Sequence, residues 1–153
     1  MDKSKVPVDQ RAALGMLADD HKLVKKLFRQ FEDASDEEKE AIAMETCKQL
    51  TVHAEIEEEI FYPSLRGVSD KIDDMLDEAQ VEHGVAKDLI AKIESGDKEM
   101  LDANYKVLSE YVGHHVEEEE KEMFEAVIKA KVNLREVAEK MEQRKMELMG
   151  EPA

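Results

Sequence analysis

The sequence predicts an all-α fold, an up-down-up-down four-helix bundle with an additional C-terminal helix. Three observations lead there. Long stretches repeat their apolar residues at steps of three and four, which puts them on one face of a helix. Only 6 of the 153 residues are Gly and 3 are Pro, while 39% are charged; long amphipathic helices suit that composition and a sheet-rich fold does not. The connections between periodic stretches are short, and short connections make consecutive helices antiparallel neighbours.

The elements follow in order. The first helix runs roughly from Asp9 to Asp33, with the inward stripe Leu14, Leu17, His21, Val24, Phe28 and Phe31. Ser35, with Glu38 three residues on, forms a capping box that opens the second helix. That helix carries Leu50, His53, Glu57 and Ile60 on one face and ends near Pro63. Ser69 or Asp70 caps the third, whose inner face is Leu76, Ala79, His83, Ala86 and Ile90. The turn Ser95-Gly96-Asp97 ends the third helix and caps the fourth, which bears Leu108, Tyr111, Val112, His115 and Glu119. Asn133 with Glu136 opens a fifth helix to about Met149, with Gly150 as a stop signal and Pro152 just beyond. The expected organisation is one domain over residues 1–153, with a bundle core at about 9–129 and a C-terminal helix at about 133–149. The fifth helix is expected to cover a bundle face or to form an oligomer contact.

The formal net charge of −16 argues against nucleic acid or an anionic membrane as partner, since both need a basic face. No apolar run approaches the ~20 residues of a membrane span. The start, MDKSKVPVDQR, has no signal-peptide core, so a soluble, cytoplasmic protein is expected. Cys47 is the lone cysteine and is expected to be a half-buried packing thiol. Trp is absent, so Leu, Ile, Val, Met and Ala must fill the interior.

Shifted by 62 residues, the sequence partly matches itself. His21 falls on His83, His53 on His115, and Glu57 on Glu119. The neighbours agree: Leu14 falls on Leu76, Asp20 on Glu82, Lys25 on Lys87, Leu27 on Leu89, and Tyr62 on Phe124. His53-Ala54-Glu55-Ile56-Glu57-Glu58 meets His115-Val116-Glu117-Glu118-Glu119-Glu120. The chain thus resembles two copies of one helical hairpin. Each copy offers one His from its first helix and a His-x-x-x-Glu from its second.

Residues four apart on a helix share a face, so His53 can act with Glu57 and His115 with Glu119. Imidazole suits iron, copper, nickel and zinc, and added carboxylates favour iron or manganese. Two glutamates can each bridge two metals while two histidines terminate each one. A single histidine on an apolar stripe is ordinarily a packed core residue. Four of them, two with a glutamate one turn on, would be costly to bury without a metal. Glu58, Glu59, Glu117, Glu118, Glu120 and Glu122 are expected on the solvated face. His114 lies about 100° around the helix from His115 and is expected to be exposed or to support a ligand. Tyr62, Tyr111 and Phe124 are expected as core aromatics, with a Tyr hydroxyl near the metals as the alternative.

At Asp20-His21, His53 to Glu58 followed by Phe61-Tyr62-Pro63, Glu82-His83, and His114-His115 with Glu117 to Glu120 and Phe124, the sequence resembles the hemerythrin-like (HHE cation-binding) domain family. The resemblance covers roughly residues 14 to 128. It implies an up-down four-helix bundle holding two non-haem iron ions, oxo- or hydroxo-bridged. It carries over His21, His53, Glu57, His83, His115 and Glu119 as metal ligands. One departure matters. Oxygen-carrying hemerythrins place two histidines four residues apart on the third helix, whereas the positions four before and four after His83 are Ala79 and Lys87. The missing histidine argues against reversible oxygen carriage.

Three function classes therefore stand side by side. The first, favoured, is a di-iron protein that binds or senses oxygen or nitric oxide, or contributes to iron homeostasis. The second is an enzyme that decomposes peroxide or reduces nitric oxide. The third is a metal-free helical module that binds a partner.

Overall fold

A computed structural model describes residues 1–150; Pro152 lies outside the described residues. Among the described residues there is no strand. The α-helices are α1 (Val8–Asp33), α2 (Asp36–Ile56), α3 (Tyr62–Leu65), α4 (Asp70–Glu94), α5 (Leu101–Glu118), α6 (Phe124–Lys129) and α7 (Arg135–Met149). The π-helical turns Glu57–Phe61 and Glu119–Met123 join α2 to α3 and α5 to α6 in continuous helical paths. The two turns stand 62 residues apart, so the internal repeat extends to this unusual backbone.

The start signals act largely as expected. Glu38 accepts a hydrogen bond from the Ser35 backbone N–H at 3.3 Å, completing the capping box. Ser69 Oγ accepts from the Ile72 N–H at 3.1 Å. Gly150 ends α7 in the left-handed region at φ 75°, which a residue without Cβ enters freely. One boundary differs from expectation. Asp97 does not cap the fourth helix: its carboxylate accepts from the N–H groups of Glu99 and Met100, closing a turn, and α5 begins only at Leu101. The second helical path ends at Leu65, close to Pro63 as expected. The wide turn just before Pro63 interrupts the regular ladder that a proline would break.

α1 packs against α2 and α5, and α4 packs against the same two helices. The apolar interior falls into two clusters. One holds Leu14, Leu17, Ile56, Phe61, Leu76, Ala79 and Phe124; the other holds Val24, Phe31, Ile90, Leu108 and Val112. Along α1, His21 sits between the members of the two clusters, and His83 does the same along α4. A polar layer therefore crosses an otherwise apolar core. Cys47 is fully buried, deeper than expected, and desolvation followed by the charge of Glu94 pushes its thiol up to about 12.

α7 covers one face, against α1, α2 and the first π turn. Its approach is fixed by buried Gln10, whose amide donates to the carbonyls of Val127 at 2.9 Å and Val132 at 3.0 Å. The Leu134 N–H adds a bond to the Asp9 carbonyl at 3.0 Å. No helix among the described residues is long and apolar enough to cross a membrane.

Candidate metal centre

α1, α2, α4 and α5 each deliver one histidine to the polar layer, and the two π turns each open with a glutamate. The six residues singled out from the sequence all arrive there: His21, His53, Glu57, His83 and Glu119 are buried, and His115 is nearly so. They form two groups, His21–His53–Glu119 and Glu57–His83–His115, each with ligand atoms within 4.8 Å of one another. The groups share their carboxylates. Glu57 Oε1 lies 3.2 Å from Nε2 of both His53 and His83. Glu119 Oε1 lies 3.5 Å from His21 Nε2, and its Oε2 lies 3.4 Å from His115 Nε2. The ring pairs repeat one geometry: His21 and His53 centroids are 4.9 Å apart at 61°, His83 and His115 5.2 Å apart at 67°.

Each imidazole is held from behind. Nδ1 donates to a carboxylate on another helical segment: His21 to Glu120 at 2.8 Å, His53 to Asp20 at 2.9 Å, His83 to Glu58 at 3.0 Å, and His115 to Glu82 at 2.9 Å. These partners repeat as well, since Asp20 corresponds to Glu82 and Glu58 to Glu120 at the 62-residue shift. A carboxylate on Nδ1 fixes the tautomer and ring angle and leaves the Nε2 lone pair free. Glu58 and Glu120, expected on the solvated face, each reach across to a histidine instead. The repeated acids beside each histidine are a readable signal of this, but the partner helix is not. Asp20 also bonds Lys145 on α7 at 2.5 Å, and Glu58 bonds Lys87 at 2.7 Å.

The inner faces of these groups are left bare. His21 Nε2, His115 Nε2, both Glu57 oxygens and Glu119 Oε1 are buried without a hydrogen-bond partner. Apart from Gln10 Oε1, no other buried side-chain atom among the described residues is in that state. Buried carboxylates and imidazoles without partners are expensive, and their convergence on one point is the mark of a cation site. Burial pushes the His115 pKa down, but the hydrogen bond and charge of Glu119 outweigh it and raise the group to about 9. His21, His53 and His83 are likewise raised against the same burial, by Glu119, Glu57 and the carboxylates behind them. Burial pushes Glu119 up, and its hydrogen bonds, including those to His115 and His21, take it well below its ordinary value. The raised values favour proton uptake by the rings beside the two glutamates when no cation is bound.

Tyr62 has a place here that helical periodicity does not give. At 3.6 residues per turn it would sit about 140° around from Glu57. The π turn bonds the Tyr62 N–H to the Glu57 carbonyl, five residues back, and swings the side chain inward. Its hydroxyl donates to Glu119 Oε2 at 2.7 Å and lies 3.4 Å from His83 Nε2. Phe124, the repeat mate, has no hydroxyl and stacks beside His21 at 6.2 Å. Tyr111 is only partly buried and lines the cavity next to the histidines. His114 points away, 69% exposed, and pairs with Glu118. Glu59 pairs with Arg144 and Glu117 with Lys121, both on the surface.

A sequence profile of the hemerythrin HHE cation-binding domain matches residues 12–127. The chain belongs to that family. Neither the curated proteins nor the solved structures gave a significant match. The HHE match ends before α7, so the helix that carries Lys145 to Asp20 stands outside the matched region. Within it lie the four histidines, the two shared glutamates and all four carboxylates behind the rings.

An apolar cavity of about 50 Å³ adjoins the histidine layer. Val24, Leu50, Ile90, Val112 and Val116 line it together with the four rings. Its exposed wall is mostly apolar, with Asp20, Glu82 and Lys87 at its edge, and such a space suits small uncharged molecules.

Proposed function

We propose that this HHE protein is a non-haem di-iron protein that binds or senses oxygen or nitric oxide. The observation that carries the reading is the convergence of unpartnered Nε2 and carboxylate oxygens, with every Nδ1 already engaged. The residues fit the group: His21 and His53 would hold one ion, His83 and His115 the other, and Glu57 and Glu119 would be shared. Four imidazoles with two carboxylates suit iron, and two shared carboxylates do not resemble a closed tetrahedral zinc site. The helices that carry them run alternately up and down in this proposal. Supporting it, His53 meets Asp20 while Lys39 lies over Phe31, and Phe31 stacks on Tyr105.

A bound iron pair would supply adjacent one-electron redox centres with affinity for small ligands. The chain's residues do the rest. Asp20, Glu58, Glu82 and Glu120 keep the rings oriented and raise their basicity. The raised histidines must release protons as a cation binds, so loading is coupled to proton release. The largely apolar cavity leaves room for a diatomic molecule. With a net charge of −16, the surface offers nucleic acid and anionic membranes nothing to bind, and the partners of this reading are small molecules.

The test is anaerobic loading with ferrous ion, iron quantification, and absorption spectra before and after adding oxygen or nitric oxide. About two irons per chain and a ligand-dependent spectrum support the reading; a metal-free protein refutes it. A second reading, turnover of peroxide or nitric oxide, draws on Ala79, which brings no donor to the cavity it shares with His115 and Glu119. Oxygen release from peroxide by the iron-loaded protein separates the two.

A further inference from the structure

The internal repeat provides a control for each half of the centre, and the halves differ in how they meet the solvent. Around Ala79 a small cavity of about 20 Å³ reaches inward to His115 and Glu119. Its walls carry Glu78, Glu82, Glu118 and Glu122. Shifted back by 62 residues, these positions are Met16 for Glu78, Leu17 for Ala79, Ile56 for Glu118 and Ile60 for Glu122. On that side Leu17 and Ile56 are fully buried, and Met16 and Ile60 pack into the apolar cluster with Met141, Leu148 and Met149 of α7. In one half Leu17 and Ile56 fill the place beneath the surface groove that Met16 and Met149 line; the corresponding place in the other half is a gap lined by carboxylates together with Met75 and Met123.

A ring of acids on a chain this acidic means little by itself. Here its floor is Glu119, 3% exposed, with an oxygen that has no partner. Glu82 is already tied to His115, and Glu118 to His114. Glu78 and Glu122 are exposed and form no ion pair among the described residues, so their charge is free to act on a cation in solution. A small side chain at 79 opens the gap; the leucine of the other half, at the matching position, would fill it.

We propose that the gap at Ala79, with Glu78 and Glu122 at its rim, is the route by which divalent cations reach the centre. The proposal rests on the metal centre described above, and its test separates the two. The rim carboxylates gather cations from solution and hand them to Glu119 and His115. The larger, mostly apolar cavity, which shares Glu82 and His115 with the gap, is left for uncharged ligands. Rim charge acts on the rate of loading and not on its extent, because Glu78 and Glu122 are not in the donor set. Focused negative charge at such a mouth raises association rates by roughly tenfold or more at low ionic strength.

The experiment follows Co²⁺ uptake by the metal-free full chain through the absorption of the bound ion, at low and high salt. Four proteins are compared: the natural chain, Glu78→Gln/Glu122→Gln, Ala79→Leu, and Glu136→Gln/Glu139→Gln, which removes the same charge from α7. The rim pair is expected to load about tenfold slower at low salt, with the gap closing as salt rises, and to reach the same endpoint. Ala79→Leu is expected to load slowly at every salt concentration. The α7 pair is expected to load at the natural rate. Equal slowing by the two charge pairs would overturn the proposal in favour of the overall field. Unchanged rates in the rim pair and in Ala79→Leu would overturn it outright. A lowered endpoint in the rim pair would overturn it by making those residues ligands. Failure of the natural chain to take up stoichiometric metal would instead refute the centre itself.

Discussion

Raising the pH of the metal-free protein should destabilise it, because the centre is then held together by histidine protons. His115 is raised to about 9 in the folded chain, against 6.5 for the ordinary side chain. A raised pKa stabilises the fold fully below the unfolded value and loses that contribution as pH climbs through the folded value. A gap of about 2.5 units corresponds to about 3 kcal/mol, of which about 2 kcal/mol is lost between pH 6.5 and 8.5. His21, His53 and His83 are raised too and add losses of the same sign. The depressed Glu119 works in the other direction: its contribution is present above the ordinary carboxylate range and disappears on acidification. The two share one set of attractions and are not summed. Metal-free stability should therefore peak between about pH 4.5 and 6.5. The assay is urea unfolding followed by far-ultraviolet circular dichroism, with chelator, at half-unit steps from pH 5 to 8.5. Stopping there keeps Cys47, raised to about 12, from contributing its own alkaline loss. Metal-loaded protein should show no such decline, because the cation replaces the protons. A metal-free stability that is flat or rising between pH 6.5 and 8.5 would refute the reasoning.

Protein purified from iron-supplemented cells should contain close to two irons per chain, and His53→Ala or Glu119→Ala should lose stoichiometric binding; one zinc in a closed tetrahedral site would refute this. His114→Ala should keep the full metal content and change stability by no more than about 0.5 kcal/mol, because the ring is exposed. Reduced, iron-loaded protein mixed with oxygen and then degassed should not return reversibly to the ferrous spectrum, since Ala79 brings no donor; Ala79→His should slow autoxidation, and a long-lived reversible oxygenated form of the natural chain would refute the idea. Lys145→Met removes the ammonium that Asp20 shares with His53, through a partly exposed pair, and should cost about 1 kcal/mol of metal-free stability; urea unfolding that shows no change would refute a role for α7 at the centre.

The sequence by itself determined the helices and which histidines and glutamates meet in the core. Apolar stripes together with end signals placed α1, α2, α4 and α5 within a few residues, and end signals alone placed α7, because a long helix buries one stripe and its open ends need caps. The 62-residue repeat picked out the six side chains that converge there, because a pseudo-symmetric layer carries the same residue types at the same steps in both hairpins. What the tertiary structure decided lies between helices or outside the regular period. Glu58 and Glu120 read as surface residues because their partners, His83 and His21, sit on other helices. Tyr62 read as packing because its hydroxyl faces Glu119 only once a π turn has shifted the helical phase. The asymmetry between the halves arises because α7 docks over Met16 and Ile60 and leaves Glu78 and Glu122 to solvent. Local spacing specifies which groups one helix can present, whereas the group that answers them depends on the helix packed opposite, and the distance along the chain between the two carries no trace of that choice.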